Sequence, residues 1–291
     1  MKIVVFDLDE TLGYFTQVGI FWDCLQNFLY ENENKQNEKL TQNDFNEMLD
    51  LFPEFIRPNI MNILQYLKHK KKTNCCHKLM IYTNNTGSKE WANQIKYYFE
   101  NKINYKLIDQ IIAAFKINGT QVEMCRTTHD KSHNDLIRCT KIPLDAEICF
   151  VDDTFHPKMA NDNIYYINLK PYYYDLSFDV MIERFYKSNL GIQLIKSDAN
   201  FEDFIDFEEF MKKEIKKYNY DYIEKTKEEY EIDKILGKHV LTHLQRFFND
   251  VKKNKSRKNY MNTNMNMNAN MNTNINTNST KSKKNKTRKQ I

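Results

Sequence analysis

Long apolar runs, glycine-rich loops and cysteines at secreted-domain spacing are all missing from this chain of 291 residues, and each absence argues against a class of protein. Nowhere do about 18 apolar residues follow one another, so no membrane-spanning helix is expected. Glycine and proline are scarce, with six and five residues. Neither a Gly-x-Gly-x-x-Gly nor a Gly-x-x-x-x-Gly-Lys segment occurs, which argues against nucleotide-loop enzymes. The six cysteines (24, 75, 76, 125, 139 and 149) follow no secreted-domain pattern. Nor do Cys75, Cys76 and His77, or Cys125, His129 and His133, offer the two ligand pairs of a structural zinc site. The apolar stretch after Met1 ends at Asp7, too early for a secretory signal. These absences together lead us to expect an intracellular protein, of cytoplasm or nucleus, with reduced thiols.

Acid is missing from one region. Residues 251–291 carry eleven Lys or Arg and no Asp or Glu, whereas 1–250 carry 32 basic and 39 acidic residues, a net of −7. The segment 261–278 is almost all Asn, Met and Thr, flanked by basic clusters at 252–258 and 281–289. Such a composition buries too little apolar surface to offset its ordering entropy, so 251–291 reads as a disordered basic tail. A nucleic acid or an import receptor are the partners its charge suggests; a role in solubility alone is equally open.

What is present alternates strand and helix. Residues 2–8, 78–83, 147–151 and 164–169 read as buried strands. Helical spacing marks Phe45, Met48, Leu49 and Phe52, then Ile60, Ile63, Leu64 and Leu67 after Arg57-Pro58. A further helix fits 89–99 and a short one 134–141, while Asn118-Gly119 between apolar segments predicts a hairpin over 111–126. The alternation predicts an α/β fold, a mainly parallel sheet with helices on both faces. From 176 to 250 the pattern is helical, with stripes Phe204, Phe207, Met211, Ile215 and Ile232, Leu236, Val240, Leu244, Phe247 that suit packing faces. We therefore expect a catalytic domain over 1–175, with a small helical insertion at 14–53, a helical extension at 176–250, and the tail.

Chemistry gathers at strand ends. The first strand ends in Asp7-Leu8-Asp9-Glu10-Thr11, which places two carboxylates at spacing i, i+2 on one side. The second ends in Thr83, followed by Asn84 and Asn85. The third is followed by Asp152 and Asp153. Ligands of open parallel sheets sit outside the carboxyl ends of strands, and clustered carboxylates there call for a hard divalent cation such as Mg²⁺.

This set resembles the haloacid dehalogenase superfamily. Its Asp-x-Asp-x-Thr motif is matched by Asp7, Asp9 and Thr11, its strand-end Thr by Thr83, its lysine by Lys131, and its acidic pair by Asp152 and Asp153. Lys116 and Lys141 compete with Lys131 for the third role. The wording Asp-Leu-Asp-Glu-Thr-Leu and the Arg57-Pro58 pair are similar to the branch of RNA polymerase II carboxy-terminal-domain and nuclear-envelope phosphatases. The resemblance covers about 2–170 and implies a Rossmann-like, Mg²⁺-dependent phosphatase. On it, Asp7 is the nucleophile that forms an aspartyl-phosphate and Asp9 the acid–base. Thr83 and Lys131 bind phosphoryl oxygens, with Thr11 and Asn84 beside them at the substrate. Asp7, Asp9, Asp152 and Asp153 surround the metal, Asp9 through its backbone carbonyl. His129, His133 and His156 lie nearby with no assigned role.

Little chain remains between Thr83 and Lys131 for a large cap domain, and an open site suits a phosphate on a macromolecule. Phosphoserine or phosphothreonine of a protein is the substrate the resemblance implies. The alternatives are a polynucleotide 3'-phosphatase, suggested by the basic tail, and a non-catalytic binding protein that keeps the fold. No membrane partner is expected.

Overall fold

The computed structural model describes residues 1–31, 40–87, 89–195 and 201–249. The tail expected at 251–291 lies outside the described residues. Strand β1 (Lys2–Phe6) is the centre of a five-stranded sheet in the order β3-β2-β1-β6-β7. The other strands are β2 (Lys78–Tyr82) and β6 (Glu147–Asp152), which flank it, and β3 (Gln110–Ile112) and β7 (Ile164–Asn168) at the edges. Every pairing in this sheet is parallel; β1 lies against β2 with Ile3 opposite Lys78, and against β6 with Lys2 opposite Glu147. Parallel strands are buried on both faces, which is why β1 and β6 read as unbroken apolar runs rather than alternating ones.

The chain winds outward from β1 through β2 to β3, then crosses to β6 on the other side. The order reverses between β1 and β6, and the crevice outside their carboxyl ends is where such sheets bind ligands. Pro58 precedes helix α3 (Ile60–Lys72), which buries Ile60, Ile63, Leu64 and Leu67, the predicted stripe. Helix α4 (Lys89–Ile103) joins β2 to β3. The hairpin is smaller than predicted. Only β4 (Lys116–Ile117) and β5 (Thr120–Gln121) pair, about a turn in which Asn118 and Gly119 both have positive φ, the geometry Asn-Gly favours. Ile111 and Ile112, expected within that hairpin, instead belong to β3 at the edge of the main sheet.

Alternate residues of β1 face opposite layers. Ile3 and Val5 join Tyr82, Leu136 and Phe150 under helix α5 (His133–Thr140). Val4 and Phe6 join a much larger cluster on the other face. That cluster takes in α1 (Thr16–Glu31), α2 (Gln42–Asp50), α6 (Phe178–Tyr186), α7 (Asn189–Ile195), α8 (Phe201–Lys216) and α9 (Lys227–Asn249). The insertion and the helical extension therefore share one core with the sheet: Phe28 of α1 packs on Phe207 and Phe210 of α8 at 5.0 and 5.3 Å. Phe207, Met211 and Ile215 of one predicted stripe, and Val240, Leu244 and Phe247 of the other, lie in this core. Among the described residues no helix is long and apolar enough to cross a membrane.

One cysteine expectation is also corrected. Cys125 and Cys139 form a disulfide, while Cys24, Cys75, Cys76 and Cys149 remain free. The pairing joins the loop before α5 to the end of α5, a proximity made by the fold that no local spacing announces.

Candidate active site

Asp7 is the first residue beyond β1, and its amide still donates to Val151 O of β6 at 2.8 Å. The chain then turns sharply, with Glu10 in the left-handed region (φ 60°) and its amide donating to Gly13 O at 2.7 Å. Gly13 is required by close approach: a Cβ there would stand 2.6 Å from Phe55 O. The turn is held from below by Arg57, which is 1% exposed. Its Nε donates to Thr11 O at 2.7 Å and its Nη2 to Lys170 O at 2.8 Å and to Glu10 O.

Lys131 stands at the middle of the site, 1% exposed, just before the Ser132 cap of α5. Its ammonium is 2.6 Å from Asp7 Oδ1 and 2.7 Å from Asp152 Oδ2. Asp152 is fully buried and also accepts from the Thr154 amide at 2.9 Å. Asp153 follows, its Oδ1 accepting from the Thr11 hydroxyl at 2.9 Å while its amide donates to the same hydroxyl at 3.1 Å. On the β2 side, the Asn85 side chain donates to Asp9 Oδ2 at 2.7 Å, and the Asn85 amide donates to Thr83 Oγ1 at 2.9 Å.

One buried cation faces several carboxylates, and their protonation divides accordingly. Burial, with Asp152 adding to it, pushes Asp7 well above the usual carboxylate range although Lys131 opposes this. Against burial that would raise it, Lys131 holds Asp152 below its ordinary value. Burial raises Asp153, and raises Asp9 to about 6 with the Asn85 hydrogen bond working the other way. Burial would lower Lys131, but Asp7 and Asp152 hold it above its ordinary value, so it stays charged.

Oxygen atoms of Asp7, Asp152 and Asp153 lie within 4.8 Å of one another. This set can hold a metal ion. The donors are hard carboxylate oxygens, and one lysine leaves the group short of positive charge, which is the condition a divalent cation relieves. Asp9 enters no such group by its carboxylate, which is turned to Asn85.

Most of the expected residues come together here. Thr11 is fully buried, and its hydroxyl donates to Asp153. Asn84 is exposed, and its Oδ1 accepts from Arg126 Nη2 at 2.8 Å; Asn85, the next residue, is the one that reaches Asp9. The competing lysines are placed elsewhere, Lys116 in β4 and Lys141 at the left-handed end of α5. His156 Nε2 lies 3.5 Å from Asp152.

Arg126 was missed by the sequence reading. It is 1% exposed and donates to Thr83 O, Ala113 O and His129 O at 3.1, 2.8 and 2.8 Å. Its guanidinium lies 4.8 Å from the Tyr82 ring. It ties the end of β2 to the loop that delivers Lys131. A lone arginine in an irregular segment carries no periodic signal, so nothing in the pattern could have found it.

Compared with family models, characterised proteins and solved structures, the chain has no match.

Proposed function

We propose that this protein is a phosphatase that hydrolyses phosphoric monoesters through an aspartyl-phosphate on Asp7. The observation that carries the reading is the placement of Asp7 at the carboxyl end of the central strand, 2.6 Å from a buried lysine and within one oxygen cluster with Asp152 and Asp153. The resemblance to haloacid dehalogenase phosphatases supports it. Asp7, Asp153 and the backbone carbonyl of Asp9 would hold Mg²⁺, with Asp152 behind them, and the ion would supply the charge that lets a phosphate dianion approach a carboxylate.

The chain's own groups do the rest. Asp7 attacks phosphorus as a nucleophile. Asp9, protonated up to a pH of about 6, gives its proton to the leaving oxygen and recovers one from water in the second step, help worth about 10²–10⁴-fold. Lys131 balances charge on the transferred oxygens. Thr83 Oγ1 accepts from the Asn85 amide, so its own hydrogen can be given to a phosphoryl oxygen. Between Thr83 and Lys131 the described residues form α4, β3 and a two-residue-per-strand hairpin, and no large cap. That openness favours a macromolecular phosphate, and phosphoserine or phosphothreonine of a protein is the substrate we assign.

The test is hydrolysis of p-nitrophenyl phosphate with Mg²⁺ and with excess chelator, followed by phosphopeptides against 3'-phosphorylated oligonucleotides. Chelator-sensitive turnover with preference for phosphopeptides is expected. Preference for oligonucleotides would select the polynucleotide 3'-phosphatase reading, which the basic tail favours. No turnover of any substrate would leave a binding protein.

A further inference from the structure

The catalytic groups occupy one edge of the sheet. At the opposite edge, where β1 and β2 begin, α3 ends in the basic run 68–72. A helix C-terminus attracts cations through its dipole, yet these lysines have neighbours that this does not explain. Lys71 pairs with Asp109 at 2.7 Å. Lys68, Lys70 and Lys72 form no ion pair among the described residues; Lys68 donates to Ile103 O at 2.7 Å, and all three ammonium groups sit against aromatic rings. The ammonium groups of Lys68 and Lys72 are 5.9 and 5.5 Å from the centre of the Tyr105 ring. On the other side of α3, that of Lys70 is 5.3 Å from Tyr66 and 5.7 Å from Phe248. All three rings are half-buried, so each keeps an accessible part.

Phe248 belongs to the end of α9, which Lys2 of β1 anchors by donating to Phe248 O at 3.3 Å. The described chain stops at residue 249; Asp250 follows, and then eleven basic residues with no further acid. Residues 1–250 are net acidic, so this basic face stands out from the body that carries it.

Lysines interleaved with ring faces meet the two needs of single-stranded nucleic acid, cations for phosphates and π-surfaces for unstacked bases. A duplex hides its base faces, and an anionic bilayer would use the charge alone. We propose that this face binds single-stranded nucleic acid through its lysines and ring faces. The proposal stands independently of the phosphatase reading.

The test is fluorescence anisotropy of a labelled single-stranded oligonucleotide across a salt series, with full-length protein, protein ending at Asn249, and variants in both. Lys68, Lys70 and Lys72 changed together to Gln should lower the slope of log K against log salt by about 2, and weaken binding up to about 100-fold at 0.1 M salt. The triple Arg variant should keep both. Lys72→Glu alone, at an exposed position, should lower the slope by about 1 even if the triple Gln variant folds poorly. Unchanged slopes in the triple Gln variant and in Lys72→Glu would overturn the proposal, leaving contact to the tail alone. Equal affinity for duplex, or binding to phosphatidylserine vesicles without binding to the oligonucleotide, would also overturn it.

Discussion

Lys131→Met removes the one buried cation of the site while keeping a side chain of similar length. The lysine is 2% exposed at its side chain, between Asp7 at 13% and Asp152 at 0%. Without it two carboxylates face each other in a dry crevice, and breaking a buried ion pair from one side costs about 3–5 kcal/mol. Over a body of this size that lowers Tm by roughly 6–20 °C. The pH dependence gives the sharper test. In the wild type Asp152 is held below its ordinary value, so it contributes stability that is present above that value and lost only as pH falls through the lower, folded one. In the variant both carboxylates are raised by burial and by each other, and a raised carboxylate is tolerated when protonated and costly when ionised. The variant should therefore recover stability relative to wild type as pH falls from 7.5 towards 5. Urea unfolding at both values, without metal, measures this. A loss under about 1 kcal/mol, or one of the same size at both pH values, would refute the reasoning that Lys131 is the counter-charge of the site.

Asp7→Asn should abolish turnover in a p-nitrophenyl phosphate assay while leaving the circular dichroism spectrum unchanged, because an amide keeps the shape but is a poor nucleophile. Asn85→Ala removes a hydrogen bond that favours ionised Asp9. The descending, alkaline limb, where a general acid loses its proton and which is expected near the Asp9 value of about 6, should then move to higher pH in a kcat profile with a poor leaving group; an unmoved limb would count against Asp9 as the acid. Removal of 251–291 should leave hydrolysis of p-nitrophenyl phosphate unaltered, and a loss of activity on truncation would show that the tail belongs to the catalytic fold.

The sheet and the acidic edge were legible because strong local signals coincide with them. Buried parallel strands are apolar runs, and their ends announced themselves by carboxylates and Thr83. The register of small structure was not legible: Ile111 and Ile112 carry the same apolar pattern whether they turn back in a hairpin or extend the sheet. Thr11 illustrates a different limit. Its place in a motif suggested contact with substrate and gave no sign of its hydrogen bond to Asp153. The Arg57-Pro58 pair stood out as a motif, but what Arg57 and Arg126 hold did not, since they bind backbone carbonyls and a carbonyl has no sequence.

Which surface the extension packs on was not legible for a related reason, and one substitution tests its integration. Gly237 of α9 lies against the Arg57-Pro58-Asn59 segment so closely that a Cβ would be 2.2 Å from Pro58 O, with Asn59 Nδ2 donating to Gly237 O at 2.9 Å. One turn earlier on the same helix face, Asp233 is 1% exposed, pairs with buried Lys225, and opposes the burial that lowers Arg57 to about 10. In an exposed helix Gly→Ala stabilises by about 1 kcal/mol. At 237 the obstacle is backbone, so α9 must retreat, and Asp233 retreats with it from a guanidinium that supports Glu10 and Thr11. Gly237→Ala should therefore destabilise by about 2–4 kcal/mol, the range of overpacking combined with a disturbed buried charge. It should also lower kcat more than it raises KM, because the nucleophile loop is displaced without loss of a substrate contact. Lys238→Ala, one residue away and exposed, should stay within about 0.5 kcal/mol of wild type. A Gly237→Ala protein that is more stable than wild type, with full activity, would show that α9 leans on the catalytic unit without bracing it.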